Sequence, residues 1–232
     1  MKVLQEKLDF LLDKYSVDAK AVLLNKDTIQ IDGTEYKLLA HRSERRFIEL
    51  KNIVNGGTLE DVSVMRTARI VKKGVNIYDV LYRELDLCQF ILQRKIKSIM
   101  AMENGNVLNA IATCEDGVVC TLEIAATLNP DMQEIDKHEI IARRGTACDV
   151  VVDAQLKQDS IYVFADTKQN YTDVDFELYG LSADEIAIVR QAFAIAQNET
   201  QNEIKAANEE LEMLVETARK SVISGEREVL KR

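Results

Sequence analysis

The stretch KSIMAMENGNVLNAIATCEDGVVCTLEIAA, residues 97–126, decides the fold. Apolar and polar side chains alternate in three runs, Lys97–Glu103, Val107–Glu115 and Val118–Ala126. Such alternation is typical of β-strands with one buried face. The dipeptides Asn104-Gly105 and Asp116-Gly117 separate the runs and favour tight hairpin turns. The stretch therefore predicts three consecutive antiparallel strands.

Helical and strand patterns surround this stretch on both sides. Helical spacing of apolar residues recurs in residues 43–55 and 77–93, after Ser182, and in the tail beyond Asn198. Further strand patterns cover residues 61–72, His138–Arg144, Cys148–Val152 and Ser160–Phe164. Together they predict an α+β fold, with an open, mostly antiparallel sheet, helices packed on one face and a long C-terminal helix.

The same patterns predict three segments along the chain. Residues 1–37 combine an amphipathic helix with short strands around Asp32-Gly33, which predicts a helix-and-hairpin cap over the sheet surface. Residues 38–197 form the α+β domain, and residues 198–232 form a helical extension.

Bulk properties restrict the class of protein. The chain has 232 residues and a net charge of -9, which disfavours binding to nucleic acid. Its N-terminus carries charges among its apolar residues, and no apolar run approaches the roughly 20 residues that cross a bilayer. The four cysteines lack metal-ligand spacing and are expected to be reduced thiols. We expect a cytoplasmic protein that binds neither nucleic acid nor membrane.

Few residues form a pattern that indicates a cofactor, metal or ligand site. The sequence contains neither GxGxxG after a strand nor a P-loop, and no spacing of histidine and cysteine indicates a metal site. Asp79, Arg83 and Asp86 are spaced i, i+4 and i+7, which places them on roughly one face of the helix over residues 77–93. This face is either a salt-bridged helix surface or part of a ligand site.

Several local patterns, in order, resemble one family. They are His41, Arg45-Arg46-Phe47 with the segment Asn55–Val62, the helix Asp79–Phe90, the hairpin Cys114–Ile124 and the hairpin His138–Gly145. With these motifs, residues 38 to about 164 resemble the C-terminal half of the glucose–fructose oxidoreductase / inositol dehydrogenase / MocA family. The resemblance implies a substrate and oligomerisation domain, which in the family follows a Rossmann domain that binds NAD or NADP.

The sequence departs from the family pattern at positions that matter for catalysis. The residues before the shared region are too few for a Rossmann domain, and the family's Glu-Lys-Pro motif has no counterpart. The family's catalytic helix reads Asp-x-x-x-His-x-x-Asp, and its match here is Asp79, Arg83 and Asp86. Arginine stays protonated at physiological pH, so Arg83 cannot replace the histidine as a general base.

Two functions are compatible with these departures. The first is a degenerate, non-catalytic relative of NAD(P)-dependent sugar dehydrogenases that has no cofactor and acts in oligomerisation or in ligand or partner binding. It would form a homo-oligomer through the sheet face or pair with a full-length dehydrogenase. The second is an oxidoreductase-related enzyme or subunit for a sugar or sugar acid, with its NAD or NADP site on another chain, such as a separate Rossmann subunit. The candidate pocket residues, for a small acidic sugar, are Asp79, Arg83, Asp86, His138 and Arg143.

Overall fold

The computed structural model describes residues 1–149, 160–164, 168–172, 177–198 and 200–231. The helices in this part of the chain are α1 (Lys2–Lys14), α2 (Arg45–Asn55), α3 (Ile77–Leu92), α4 (Ala183–Ala196) and α5 (Gln201–Ser224). The strands are β1 (Ala21–Leu23), β2 (Thr28–Ile31), β3 (Thr34–Lys37), β4 (Glu60–Lys72), β5 (Ile96–Asn104), β6 (Val107–Cys114), β7 (Val119–Leu128), β8 (Ile135–Arg144), β9 (Thr146–Cys148), β10 (Ser160–Phe164), β11 (Lys168–Thr172) and β12 (Glu228–Val229).

The chain forms two compact units, each made of two sequence segments. The first comprises Met1–Ile48 and Val174–Glu210, and the second comprises Glu49–Asp173 and Leu211–Arg232. The segment boundaries predicted from the sequence, at residues 37 and 197, differ from the bounds of these two units. The predicted division stays a prediction. No helix among the described residues is long and apolar enough to span a membrane.

The first unit packs two helices beside a small antiparallel sheet. The sheet has the order β1-β2-β3, and α1 and α4 contact each other and β1. The side chain of Gln5 on α1 bonds the backbone of β1, because it donates to the carbonyl of Ala21 and accepts from the amide of Leu23, both at 2.9 Å. A capping box between Ser182 and Glu185 begins α4, as the sequence predicted.

The second unit is built on a nine-stranded sheet with the order β11-β10-β9-β8-β4-β7-β6-β5-β12. Every pair of neighbouring strands is antiparallel except β4 and β7, which are parallel. The α+β class, the mostly antiparallel sheet and the long helix α5 are therefore confirmed. Of the predicted strand Cys148–Val152, residues 150–152 lie outside the described part of the chain.

The two faces of this sheet differ in their side chains. On the covered face, alternate residues of β6, β7 and β8 are buried, and α3 contacts β4, β6 and β7 there. We call the opposite face the open face. It carries Arg66 and Ala68 of β4, Ile111 of β6, Glu123 of β7 and Lys137 of β8.

Candidate functional site: a buried ionic cluster

The covered face holds a group of charged side chains, three of which are fully buried. We call it the buried ionic cluster, and its members are Arg69, Arg83, Glu84, Glu134, Asp136, His138 and Asp149. Glu84, His138 and Asp149 have no exposed surface. Buried charges are costly unless they are paired, so their arrangement is informative about function.

Helix α3 supplies two members of the cluster. Its N-terminus is fixed by Asn76, whose side chain accepts a hydrogen bond from the amide of Tyr78. Glu84 follows Ile77 by seven residues and Leu81 by three, so it falls within the apolar stripe that α3 turns toward the sheet. Arg83 lies beside it and is half-buried.

The hairpin of β8 and β9 supplies His138 and Asp149. Glu139 pairs with Cys148 in this hairpin, so the next residues outward, His138 and Asp149, come together. The two oxygens of Asp149 bond the backbone amide of His138 at 2.6 Å and its Nδ1 at 2.7 Å. This double contact fixes the imidazole ring.

The other ring nitrogen of His138 faces two carboxylates. Its Nε2 lies 3.0 Å from Oε2 of Glu84 and 3.7 Å from Oδ1 of Asp136. Since the two ring nitrogens both contact carboxylates, the ring is held from both sides. One atom each of Glu84, Asp136 and His138 lie within 4.8 Å of one another, a separation that one metal ion can bridge.

Two arginines complete the cluster. Arg83 donates to Oε1 of Glu84 and forms a two-point contact with Asp136, at 3.2 Å to Oδ1 and 2.9 Å to Oδ2. Arg69 of β4 donates to Glu134 at 2.8 Å and lies 3.4 Å from Asp136. The guanidinium groups therefore tie α3 and β4 to β8.

The charges shift the pKa values of the buried groups. Burial lowers the pKa of His138, but the carboxylates of Asp149 and Glu84 outweigh burial and raise it to about 10. Burial raises the pKa of Glu84, but His138 and Arg83 lower it to about 2. In this arrangement His138 is an imidazolium and Glu84 a carboxylate, so the ring has no free nitrogen with which to take a proton from a substrate.

The structure brings together only some of the predicted pocket residues. Arg83 and His138 both belong to the buried ionic cluster. Asp86 is buried on α3, whereas Asp79 is exposed. Arg143 is largely exposed near the end of β8, where it pairs with Glu60 and Asp61.

Sequence reasoning missed Glu84, Asp136 and Asp149. A signal existed for Glu84, because an acidic residue inside an apolar helical stripe needs a buried partner. Asp136 also had a weaker signal, since it precedes His138 by two residues and a strand places both on one face. Asp149 has no local signal, because its position depends on the pairing of β8 with β9.

The open face carries a second feature, a shallow cleft at its centre. The cleft has a volume of about 180 Å³, and its lining is Arg66, Thr67, Ala68, Glu123, Lys137 and Glu139. Arg66 pairs with Glu139 at 3.4 Å. In the described part of the chain, Lys137 and Glu123 form no ion pair, although they flank Ala68 on neighbouring strands.

Large apolar side chains lie around this cleft. Met102, Ile111 and Ile135 are 64%, 45% and 46% exposed, and the register of the strands places all three on the open face. Several large apolar side chains exposed on one face of a sheet are a feature of surfaces that contact another protein.

Solved structures with a similar fold include oxidoreductases. No family model and no curated protein matches the sequence. Among solved structures, an oxidoreductase from Pseudomonas syringae matches 99% of this chain with a TM-score of 0.67 and 14% identity, over 69% of its own length. An oxidoreductase domain protein from Kribbella flavida matches 84% of this chain with a TM-score of 0.67 and 11% identity, over 65% of its own length.

A levoglucosan dehydrogenase in complex with NADH and levoglucosan is also similar. It matches 83% of this chain with a TM-score of 0.67 and 9% identity, over 65% of its own length. The chain thus spans slightly less than two thirds of several of the solved chains it matches. At these identities the likeness concerns the fold alone, and the chain has a fold related to that of oxidoreductase-type dehydrogenases.

Proposed function

We propose that this protein is a non-catalytic relative of the sugar dehydrogenases and acts by self-assembly through the open face of its sheet. The observation that carries the proposal is that Arg83 is a charged side chain held in ion pairs with carboxylates. In the family that the sequence resembles, the proton-transferring histidine matches this residue, and two carboxylates bind it here.

The chemistry of Arg83 supports the loss of catalysis. A guanidinium stays charged at physiological pH, and the bidentate contact with Asp136 further favours the charged form. The only histidine nearby in the described structure, His138, is fully buried and contacts carboxylates at both nitrogens. Neither side chain can therefore accept a proton from a bound sugar.

The open face supports the choice of a second copy of this chain as the partner. Lys137 and Glu123 lie on strands that flank β4, so they are about 9–10 Å apart at the usual spacing of about 4.8 Å per strand. No ion pair joins them in the described part of the chain. We consider a two-fold axis that lies between the two facing sheets, parallel to β4 and above Ala68. Rotation about this axis would place Lys137 of each copy over Glu123 of the other.

The exposed apolar side chains of the open face also support a second copy of this chain as the partner. Met102, Ile111 and Ile135 lie on the same face as the charged pair. A face-to-face contact of two sheets, about 10 Å apart, would bury these side chains between them. The charges then fix the register, and apolar burial supplies affinity.

A charge reversal tests the assembly. Lys137→Glu would place two acidic side chains opposite each other at the interface, so we expect a self-association constant at least tenfold weaker, equivalent to about 1.4 kcal/mol. Sedimentation velocity over a range of protein concentrations gives this constant. The control is Lys2→Glu, which changes the net charge equally at a side chain that is 90% exposed on α1. A wild-type protein that stays monomeric at the highest concentration would overturn the proposal.

A nucleotide titration tests the loss of catalysis. A ligand at 100 times its dissociation constant stabilises the folded state by about 2.7 kcal/mol, which raises the melting temperature by several degrees. We expect no rise with NAD, NADH, NADP or NADPH at millimolar concentration. A clear rise with one of them would favour the oxidoreductase alternative.

A further inference from the structure

We propose that the buried ionic cluster is a binding site for one divalent transition-metal ion, with Zn²⁺ as the best fit. The ligands would be Nε2 of His138, Oε2 of Glu84 and Oδ1 of Asp136. This site is independent of self-assembly through the open face, because its residues lie on the covered face of the sheet.

The distances between the three atoms fit one small ion. Nε2 of His138 lies 3.0 Å from Oε2 of Glu84 and 3.7 Å from Oδ1 of Asp136. One ligand atom from each of the three residues lies within 4.8 Å of the others. Zinc binds nitrogen and oxygen at about 2.0–2.2 Å, so two of its ligands are about 3–4 Å apart. An imidazole with two carboxylates is also a ligand set that zinc accepts.

The surrounding side chains orient these ligands as in known metal sites. Asp149 holds Nδ1 of His138 at 2.7 Å, which leaves the lone pair of a neutral ring on Nε2. Arg83 contacts the opposite oxygens, Oε1 of Glu84 and Oδ2 of Asp136. Its longer contact of 3.2 Å to Oδ1 of Asp136 is the one that a bound ion would weaken.

The carboxylates of the cluster favour a cation. They belong to Glu84, Glu134, Asp136 and Asp149, and those of Glu84 and Asp136 both face Nε2 of His138. A divalent ion bound to these two carboxylates would add positive charge at the point where they converge.

An independent observation is the hydroxyl of Thr67. This residue is 2% exposed, and its Oγ1 has no hydrogen-bond partner among the described residues. Thr67 lies directly opposite His138 in the pairing of β4 with β8, and such pairs project from the same face with Cβ atoms about 5 Å apart. A water molecule at the fourth position of the ion would give this hydroxyl a partner.

Metal titration of the full chain tests the site. After chelator treatment we expect one equivalent of Zn²⁺ per chain by calorimetry, with Mn²⁺ bound more weakly. The ion is added both to the folded protein and during refolding, because the ligands are buried. Removal of the orienting carboxylate in Asp149→Asn should weaken binding about 10–100-fold. The control is His41→Gln, which removes the only other histidine and should leave binding unchanged.

A spectroscopic measurement on the wild-type chain avoids variants that fail to fold. Because the chain has two histidines, nitrogen-15 NMR of labelled imidazoles distinguishes them. We expect Zn²⁺ to shift the Nε2 resonance of His138 while its Nδ1 stays protonated. No stoichiometric binding, a response of His41 instead, or full affinity in Asp149→Asn would each overturn the site.

Discussion

The two faces of the nine-stranded sheet differ in whether their charged side chains contact one another, even at neighbouring positions. On the covered face, Thr67 lies opposite His138, whose two ring nitrogens contact carboxylates. One residue further along the same strands, on the open face, Ala68 separates Lys137 from Glu123, and these two do not pair. On the covered face the charged side chains contact one another, whereas on the open face Lys137 and Glu123 form no ion pair among the described residues.

Because of this difference, we expect the covered face to affect stability and the open face to affect association. A buried pair whose partner is removed leaves an uncompensated charge at low dielectric, so the covered face must keep its set of charges complete. A half-exposed charge is screened by water, so the open face can carry unpaired ions at little cost until a second chain approaches. We therefore expect large stability effects on one face and mainly association effects on the other.

The largest expected effect comes from matched glutamate substitutions on the two faces. Glu84→Gln removes the fully buried carboxylate that contacts both Arg83 and His138, and we expect a loss of about 3–5 kcal/mol in the free energy of unfolding. Glu139→Gln removes the partially exposed partner of Arg66 and should cost less than about 1 kcal/mol. Urea unfolding in the presence of chelator measures both values. Equal losses in the two variants would contradict the contrast between the faces.

A second contrast concerns apolar side chains on adjacent strands. Leu122 is buried on the covered face of β7, so Leu122→Ala should cost about 2–5 kcal/mol through the cavity it leaves. Ile111 is 45% exposed on the open face of β6, so Ile111→Ala should cost less than about 1 kcal/mol in the monomer but weaken self-association. Unfolding at a concentration where the protein is monomeric separates the two effects. A similar cost at both positions would mean that the open face is buried within the chain.

The smallest effect is expected at two threonines. Thr67→Val replaces a buried hydroxyl that has no partner among the described residues by a methyl group, and should stabilise the metal-free protein by about 1 kcal/mol. Thr121 lies on the open face and is half-buried, so Thr121→Val should change stability by less than about 0.5 kcal/mol. Thermal unfolding with chelator measures the difference, and a destabilised Thr67→Val would show that this hydroxyl has a partner.

The fold was predictable where local signals are strong. Asp32-Gly33 adopts the positive backbone φ angles of a tight hairpin. The predicted Asp116-Gly117 lies between β6 and β7, whereas the turn between β5 and β6 consists of Gly105 and Asn106, one residue beyond the predicted Asn104-Gly105. The parallel pairing of β4 with β7 was not predicted, since a helix and two strands separate them in sequence and no local pattern encodes the pairing.

The site was less predictable for the same reason. Arg83 and His138 stood out as single residues, but their partners come from a helix, a strand and the end of a hairpin. The register of the β8–β9 hairpin brings Asp149 to His138, and the predicted strands His138–Arg144 and Cys148–Val152 did not define that register. The i, i+4 and i+7 spacing of Asp79, Arg83 and Asp86 indicated a shared face, yet the sheet buries Asp86 and leaves Asp79 exposed.

The most direct test of self-assembly through the open face is a charge swap between Lys137 and Glu123. Sedimentation velocity compares the wild type, Lys137→Glu, Glu123→Lys and the variant with both substitutions. The proposed two-fold contact predicts that each single substitution weakens self-association at least tenfold. The double substitution should restore it to within about threefold, because the acidic side chain introduced on β8 would again face a basic side chain on β7 of the other copy. The proposed contact would be contradicted if the double variant lost as much free energy of self-association as the two single variants together.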